Sequence, residues 1–353
     1  MKQIDIGLIG AGWCGGIRAN TCAASALVNE LHIAEINEER LREVAEQTNA
    51  TSATTNYREV LGRKNLDAII ISATPETTHF PMAKEALLAG KHVFLEKPLA
   101  LTLDEADEVI AIAKQKQRKF AIGYSQRFNP KLAYVKKSLA EKTIGDPVCV
   151  LVSRHITRGL GNKIGRRVKL SPAAMEATHD LDFVLWCMQP AKPVRVYSQS
   201  SYGVMKDITG LEDAQWMVVT LDNGVLLTVG AGWTMPPGYP NYSGTWIEVT
   251  GTQGMLTIDD THRDVIFNTM DHGMQLPMSS MPGESVGHVF AGPMHNETVH
   301  FLEAIALDRP VMATAEQARD VMELYMAADL SAARNEAVAL PLKQRPSSAA
   351  AVA

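Results

Sequence analysis

The chain has 353 residues, of which 46% are apolar and 21% charged, and its formal net charge is −5. That balance excludes a disordered acidic tail or a collagen-like repeat, and at roughly 150 residues per domain it predicts two domains. A mildly acidic chain with 6% aromatic residues is a poor match for nucleic acid or an anionic membrane, so neither is an expected partner.

The first 125 residues alternate strand and helix patterns. Strands are expected at Ile4–Ile9, Leu31–Ile36, Asp67–Ser72, His92–Leu95 and Phe120–Gly123. Helices are expected at Trp13–Ala24, Glu38–Gln47, His79–Ala89 and Leu103–Lys116. The strands are continuous apolar runs, not alternating ones, as in strands covered by helices on both faces; this predicts a doubly wound parallel sheet. The pattern changes near residue 126. A helix over Pro130–Glu141 and a strand over Pro147–His155 lead into a glycine- and arginine-rich stretch read as a loop to Leu170. Ser171-Pro172 then opens a helix, Ser as cap and Pro at the first position. Strands follow without helices between them, at Arg195–Tyr202, Gln215–Leu221, Val225–Ala231, Trp246–Gly251 and Met255–Asp259, with Asp222-Asn223-Gly224 as a hairpin turn. Helices over Pro293–Leu307 and Ala315–Asn335 close the fold. The expected organisation is a Rossmann domain over 1–125, an α+β domain with a large open, mainly antiparallel sheet over 126–345, and a disordered tail over 346–353.

Cys14, Cys22, Cys149 and Cys187 form no C-x-x-C pair and read as reduced thiols of a cytoplasmic protein. A strand pattern begins at once with no secretory leader before it, and the longest apolar runs fall far short of the ~20 residues a bilayer span needs. His288, His295 and His300 crowd one region, but without zinc-type spacing no metal is expected.

Gly10-Ala11-Gly12-Trp13-Cys14-Gly15 fits G-x-G-x-x-G directly between a strand and a helix, the setting the motif requires. The glycines allow a tight turn, close approach of a pyrophosphate and close helix–strand packing, and the helix N-terminus offers free N–H groups to the phosphates. Glu35 at the end of the second strand can accept hydrogen bonds from ribose hydroxyls and would repel a 2′-phosphate. NAD is therefore expected over NADP, with Arg40 able to soften that preference if it folds back. Cys14 sits at the helix start, where a thiol pKa can fall, yet a small side chain facing cofactor or core is the simpler reading.

Glu96-Lys97-Pro98 stands at a strand C-terminus, the edge where open α/β sheets bind ligands, and a lysine there can transfer a proton. With this segment the sequence resembles the glucose–fructose oxidoreductase / inositol dehydrogenase / rhizopine-catabolism (Gfo/Idh/MocA) family. The resemblance rests on Gly7-Leu8-Ile9-Gly10-Ala11-Gly12, Ala73-Thr74-Pro75 with His79, Ala89-Gly90-Lys91-His92 running into Glu96-Lys97-Pro98, Gly123-Tyr124 with Arg127-Phe128-Asn129-Pro130, and His179-Asp180-Leu181-Asp182. It implies NAD(P)-linked chemistry on sugars, inositols or related polyols, in a homodimer or homotetramer built through the open sheet. It places Lys97 and His179 at the reacting carbon, Thr74, Pro75 and His79 beside the nicotinamide, Glu96 with the cofactor and Tyr124 with the substrate.

The family pattern puts an Asp four residues before the histidine. Met175 stands there, so either Glu176, three before on the same helical face, supplies the acid or it is absent. Asp180 points about 100° away on a helix. Arg154, His155, Arg158, Lys163, Arg166, Arg167 and Lys169 fall within 16 residues that hold no acid. Arg154, Arg166 and Arg167 are candidates to recognise an anionic substrate, against a solvated or subunit-contacting loop. Three functions are compatible: a dehydrogenase; an NAD-dependent glycosidase working by transient oxidation, elimination, water addition and re-reduction, as in some relatives of the family; and a non-catalytic NAD-binding regulator.

Overall fold

The computed structural model describes residues 3–239, 243–259, 266–271, 273–275, 285–286, 289–290 and 292–345. The expected tail at 346–353 and His288 lie outside the described residues. The chain divides into two units, Met1–Phe128 with Met281–Arg319, and Asn129–Ser280 with Asp320–Ala353.

The first unit runs β1 (Ile4–Ile9), α1 (Trp13–Ala23), β2 (Val28–Ala34), α2 (Glu38–Thr48), β3 (Ser52–Thr54), α3 (Tyr57–Leu61), β4 (Ala68–Ile71), α4 (His79–Leu88), β5 (His92–Glu96), α5 (Leu103–Gln115) and β6 (Phe120–Gly123). The strands form one parallel sheet in the order β3-β2-β1-β4-β5-β6. Ile6, Leu8, Ile69, Ile70 and Ile71 are fully buried in it, each worth about 1.5–3 kcal/mol of burial. This is the doubly wound fold that the unbroken apolar runs predict. β3 and α3 carry no sequence signal, because three and five residues are too short to display a period. Helix starts follow local chemistry: Asn37 caps α2, and Thr102 with Glu105 forms a capping box on α5. Parallel pairing brings the C-terminal ends of β1, β2, β4 and β5 to a single edge.

The second unit begins with α6 (Pro130–Ala140), β7 (Pro147–Thr157) and α7 (Arg158–Gly165). A π-helical turn over Ala173–Ala177 leads into α8 (Thr178–Met188), β8 (Pro193–Ser201), α9 (Val204–Thr209), β9 (Ala214–Leu221), β10 (Leu226–Met235), β11 (Ser243–Gly251) and β12 (Gly254–Asp259). Short strands β13 (Phe267–Thr269) and β14 (Gly273–Gln275) form a hairpin. A second hairpin, β15 (Ser285–Val286) with β16 (Val289–Phe290), precedes α10 (Pro293–Ala306), α11 (Ala315–Arg334) and β17 (Val338–Ala339).

The seven-stranded sheet has the order β12-β11-β7-β10-β9-β8-β17. Only β7 and β10 run parallel, joined by the long crossover such a pair needs. Gln199, Trp216, Gly230, Ser153 and Trp246 stand in one row across five strands, on a face that also exposes Val218 and Leu226.

Two expectations are corrected. The stretch after His155 is not a loop: the strand continues to Thr157 and residues 158–165 form α7. Gly161 and Gly165 serve packing, since a Cβ on Gly161 would stand 2.4 Å from the buried Trp233 ring and one on Gly165 2.9 Å from Leu211 and Thr209. Helix α10, expected in the second domain, belongs to the first unit, where Phe301 packs edge-on to Phe94 with ring centroids 5.6 Å apart.

Candidate active site

At the end of β1 the backbone turns at Gly10 with φ +85°, a left-handed conformation that glycine adopts without strain. A Cβ there would meet the Ala73 backbone at 2.7 Å, and one on Gly15 would meet the Gly10 carbonyl oxygen at 1.9 Å. Ala11 is buried, whereas Gly12 borders open space. Helix α1 has no side-chain cap, so its first N–H groups are left to an anion. Trp13 is 57% exposed at the helix start. Burial, then the nearby Glu96 charge, pushes the Cys14 thiol up to about 12, which makes it an inert small side chain rather than a reactive one.

Glu35 follows β2 and turns back onto this loop. One carboxylate oxygen accepts from the Ala11 N–H at 2.7 Å and the other from the Asn37 N–H at 2.9 Å. Arg40 does fold back: its Nε donates to the Ala11 carbonyl at 2.7 Å. Together an uncapped helix start, a glycine bordering open space and a carboxylate at the end of β2 fit a dinucleotide, with Gly10–Gly15 at the pyrophosphate and Glu35 at a ribose.

Glu96 and Lys97 leave the sheet at the same edge, both half-buried. The Glu96 carboxylate is fixed by the fully buried Arg18 of α1, with N–O distances of 2.7 Å from Nε and 2.6 Å from Nη2. Arg18 also binds Glu297 at 2.8 Å and Thr298 at 2.9 Å on α10, and its guanidinium lies 4.0 Å from the Phe94 ring centre. Burial opposes the Arg18 charge, but Glu96 and Glu297 outweigh it and hold the guanidinium protonated. This junction ties the helix of the glycine turn to the strand that carries Lys97. Sequence reading missed Arg18 and Glu297; the available signal was an arginine amid the small residues Gly15, Ala19 and Cys22 of α1.

His79, expected beside a nicotinamide, braces the backbone of two loops. It is buried, with Nδ1 2.7 Å from the Pro98 carbonyl and Nε2 3.1 Å from the Ala73 carbonyl. Burial lowers its pKa, so the ring is neutral, and the shorter contact is the one an Nδ1–H would make. Both nitrogens thus face the backbone of the two loops that hold Thr74, Pro75 and Lys97, while Thr74 and Pro75 themselves are exposed. Tyr124, expected at the substrate, is buried at 1% exposure.

In the second unit His179 is the second residue of α8 and is half-buried. The expected i−3 spacing of Glu176 presumed an α-helix, but residues 173–177 form a wider π turn. Glu176 accepts from the Trp233 indole N–H at 2.9 Å, and Met175 is buried. The Trp233 indole is the partner of that acid.

Arg154 lies in β7 and makes a buried bidentate pair with Asp180, at 2.6 Å and 2.8 Å. Its expected role as an anion hook gives way to this pairing. Lys169 donates to the Thr209 carbonyl, and Arg166 donates to Asn162 at 3.0 Å. Arg166 and Arg167 remain exposed. His300 accepts from the Met312 N–H at 2.9 Å, and His295 Nδ1 lies 3.2 Å from the Thr21 hydroxyl. Among the described residues no group of three or more His, Cys, Asp or Glu side chains could hold a metal ion. No helix among them is long and apolar enough to cross a membrane.

Two profiles of one family match this chain. The Gfo/Idh/MocA oxidoreductase family's NAD-binding Rossmann fold covers residues 4–124, and that family's C-terminal domain covers residues 132–257. The chain belongs to the Gfo/Idh/MocA family. The first unit is accordingly its NAD-binding Rossmann domain. The uncharacterized oxidoreductase YrbE of Bacillus subtilis is 25% identical over 335 residues, 94% of this chain and 95% of that protein. The myo-inositol 2-dehydrogenase of Thermotoga maritima is 27% identical over 271 residues, 76% of this chain and 79% of that one. The scyllo-inositol dehydrogenase of Lactobacillus casei, solved with NAD(H) and scyllo-inositol, shares the fold with a TM-score of 0.80 at 20% identity, covering 96% of this chain and 99% of that one.

Proposed function

We propose that this Gfo/Idh/MocA protein is an NAD-dependent dehydrogenase that oxidises a hydroxyl of a sugar, sugar acid, inositol or related polyol. The observation that carries the reading is the shared sheet edge: the glycine turn, Glu35 and the Glu96-Lys97 pair all follow strands of one parallel sheet, and Arg18 locks Glu96 to the turn's own helix. When bound, the dinucleotide supplies the hydride acceptor. Lys97 takes up or returns the hydroxyl proton, and His179 is the second proton-transfer group. Glu35 accepts from ribose hydroxyls and disfavours a 2′-phosphate, so NAD is preferred to NADP. The inositol dehydrogenases among the relatives point to the substrate class.

The test is a panel of inositols, neutral sugars, sugar acids and their glycosides incubated with the protein and NAD, following NADH and product separately. NADH accumulating with a ketone product supports the reading. Product formed without NADH would establish the redox-neutral glycosidase route instead, and NAD bound with nothing turned over would establish a regulator. The reading also takes the protein to be a homodimer or homotetramer through the exposed sheet face. Light scattering of the wild type and of Trp216→Glu checks that state.

A further inference from the structure

The segment that leads to His179 is held by three side chains of the seven-stranded sheet. Gln215 of β9 accepts from the Ala173 N–H at 3.2 Å, the Trp233 indole of β10 donates to Glu176 at 2.9 Å, and Arg154 of β7 pairs with Asp180. Two of the three contacts fall on the π turn over Ala173–Ala177, all of whose residues are buried. A π turn is wider than the α turn that the same residues would otherwise make, and rewinding it as α would carry His179 about 100° round the helix axis. The direction of His179 therefore depends on what keeps this turn open.

Trp233 is placed to do so. It is fully buried, its backbone N–H donates to the Asp213 carbonyl at 2.8 Å, and its ring occupies the space that Gly161 leaves on α7. The indole N–H thus stands at a fixed point. Glu176 is buried as well, and a buried carboxylate needs a donor; among the described residues the indole supplies it. We infer that Trp233 is a positioning residue: acting through Glu176, its indole N–H keeps residues 173–177 in the π turn and so aims His179. The inference rests on the reading of His179 as a proton-transfer group and deepens it by naming what places that group. Glu176 is then an anchor of the turn and not the acid partner of the imidazole.

Magnetic resonance of protein with isotope-labelled histidine rings tests this without relying on turnover. The His179 signal is assigned by its loss in His179→Gln. Trp233→Phe removes the indole N–H and keeps an aromatic ring beside Gly161; it should move the His179 signal and leave that of His32, in the first unit, in place. Glu176→Leu should do the same by removing the acceptor. Glu176→Gln, whose amide oxygen still accepts from the indole, should keep the His179 signal near its wild-type position. With a substrate from the panel above, kcat should follow the same order. Trp233→Phe should lose about tenfold or more with NAD affinity unchanged by calorimetry, and should cost nothing further in a His179→Gln background. A thermal melt of each variant shows whether it is folded. An unmoved His179 signal in folded Trp233→Phe would overturn the inference. So would a Glu176→Gln protein that moved the signal as far as Glu176→Leu, since His179 would then be sensing the carboxylate charge itself. A displaced signal in Trp233→Phe together with full kcat in His179→Gln would support the positioning and overturn the proton-transfer reading of His179, so the two failures are distinct.

Discussion

The two units use their charged residues in opposite ways. At the edge of the parallel sheet, the glycine turn, Glu35 and Glu96-Lys97 stand where strand direction puts them, and charged side chains such as Arg18 hold that backbone in place. In the second unit two of the seven basic residues that drew notice in the sequence, Arg154 and Lys169, are taken up by the fold. Arg154 is paired with Asp180, Lys169 is on the Thr209 carbonyl, and the acid Glu176 is on an indole. A motif made of backbone geometry keeps its function when folded, because glycines and strand ends have few alternative uses. A cluster of charges does not, because buried polar groups recruit each other first.

The largest effect should come from Lys97. In the wild type its amine directly follows a strand whose end is locked through Glu96, so Lys97→Ala removes the proposed proton-transfer group and leaves the turn and its helix intact. Expected is a loss of about 10²–10⁴ in kcat with NAD affinity changed little, the scale of a general acid–base contribution. Steady-state kinetics beside calorimetry separate the two quantities. A variant that turned over like the wild type would move the chemistry away from this edge.

The same contrast explains what the sequence made legible. The strands of the first unit announced themselves because burial on both faces forces unbroken apolar runs, and Gly10, Gly12 and Gly15 are required by turn and packing geometry that few other arrangements need. The hairpin at Asn223-Gly224 was equally plain, with Gly224 at φ +88°. Helix α7 was not legible, since Gly159, Gly161 and Gly165 read as loop. The Trp233 ring lying against Gly161, a contact between residues 72 positions apart, explains a glycine in the middle of that helix. The π turn before α8 left no trace in the residue pattern, and with it the spacing from Glu176 to His179 lost its meaning. Arg18 was missed for a similar reason: its partners Glu96 and Glu297 are distant in sequence, and the small residues around it on α1 are only a faint local mark of its burial.

A second break of the comparison falls on Arg154. Its side chain and that of Asp180 are 8% and 2% exposed, so removing one charge strands the other. Arg154→Met should cost about 3–5 kcal/mol of stability, while Arg154→Met with Asp180→Leu should recover most of it. Urea unfolding of the wild type, both single variants and the double variant measures this. If Arg154→Met were neutral for stability and selective against acidic substrates, Arg154 would be an anion ligand after all.

Asp329 offers a gentler lever on the same unit. Burial pushes its carboxyl from the ordinary 3.8 up to about 7, with hydrogen bonds from Ser171 and Gln215 only partly offsetting. The folded chain then keeps a proton that the unfolded chain releases first. Stability contributed by this group is full below the unfolded value, falls as pH climbs from about 4 to about 7, and stays flat above. Asp329→Asn should flatten that part of the stability profile, which urea unfolding across the window would show. An unchanged slope would mean that Asp329 ionises freely in the folded state.

The smallest stability effect should fall on Arg166 and Arg167, the two arginines of the basic stretch that stand exposed. Arg166 has one neutral partner, Asn162, and lies with Arg167 just beyond the end of α7. Neutralising both as Arg166→Gln with Arg167→Gln should shift stability by no more than about 0.5 kcal/mol, the range of ordinary surface substitutions. What it should change is recognition. A sugar acid loses a bidentate partner, so its KM should rise about tenfold, or about 1.4 kcal/mol, while that of a neutral polyol should not move. The neutral polyol is the control that gives the experiment its meaning, because a general disturbance of the unit would raise both values together. Selective loss would make these two side chains the one part of the basic stretch that acts on a ligand rather than on the fold.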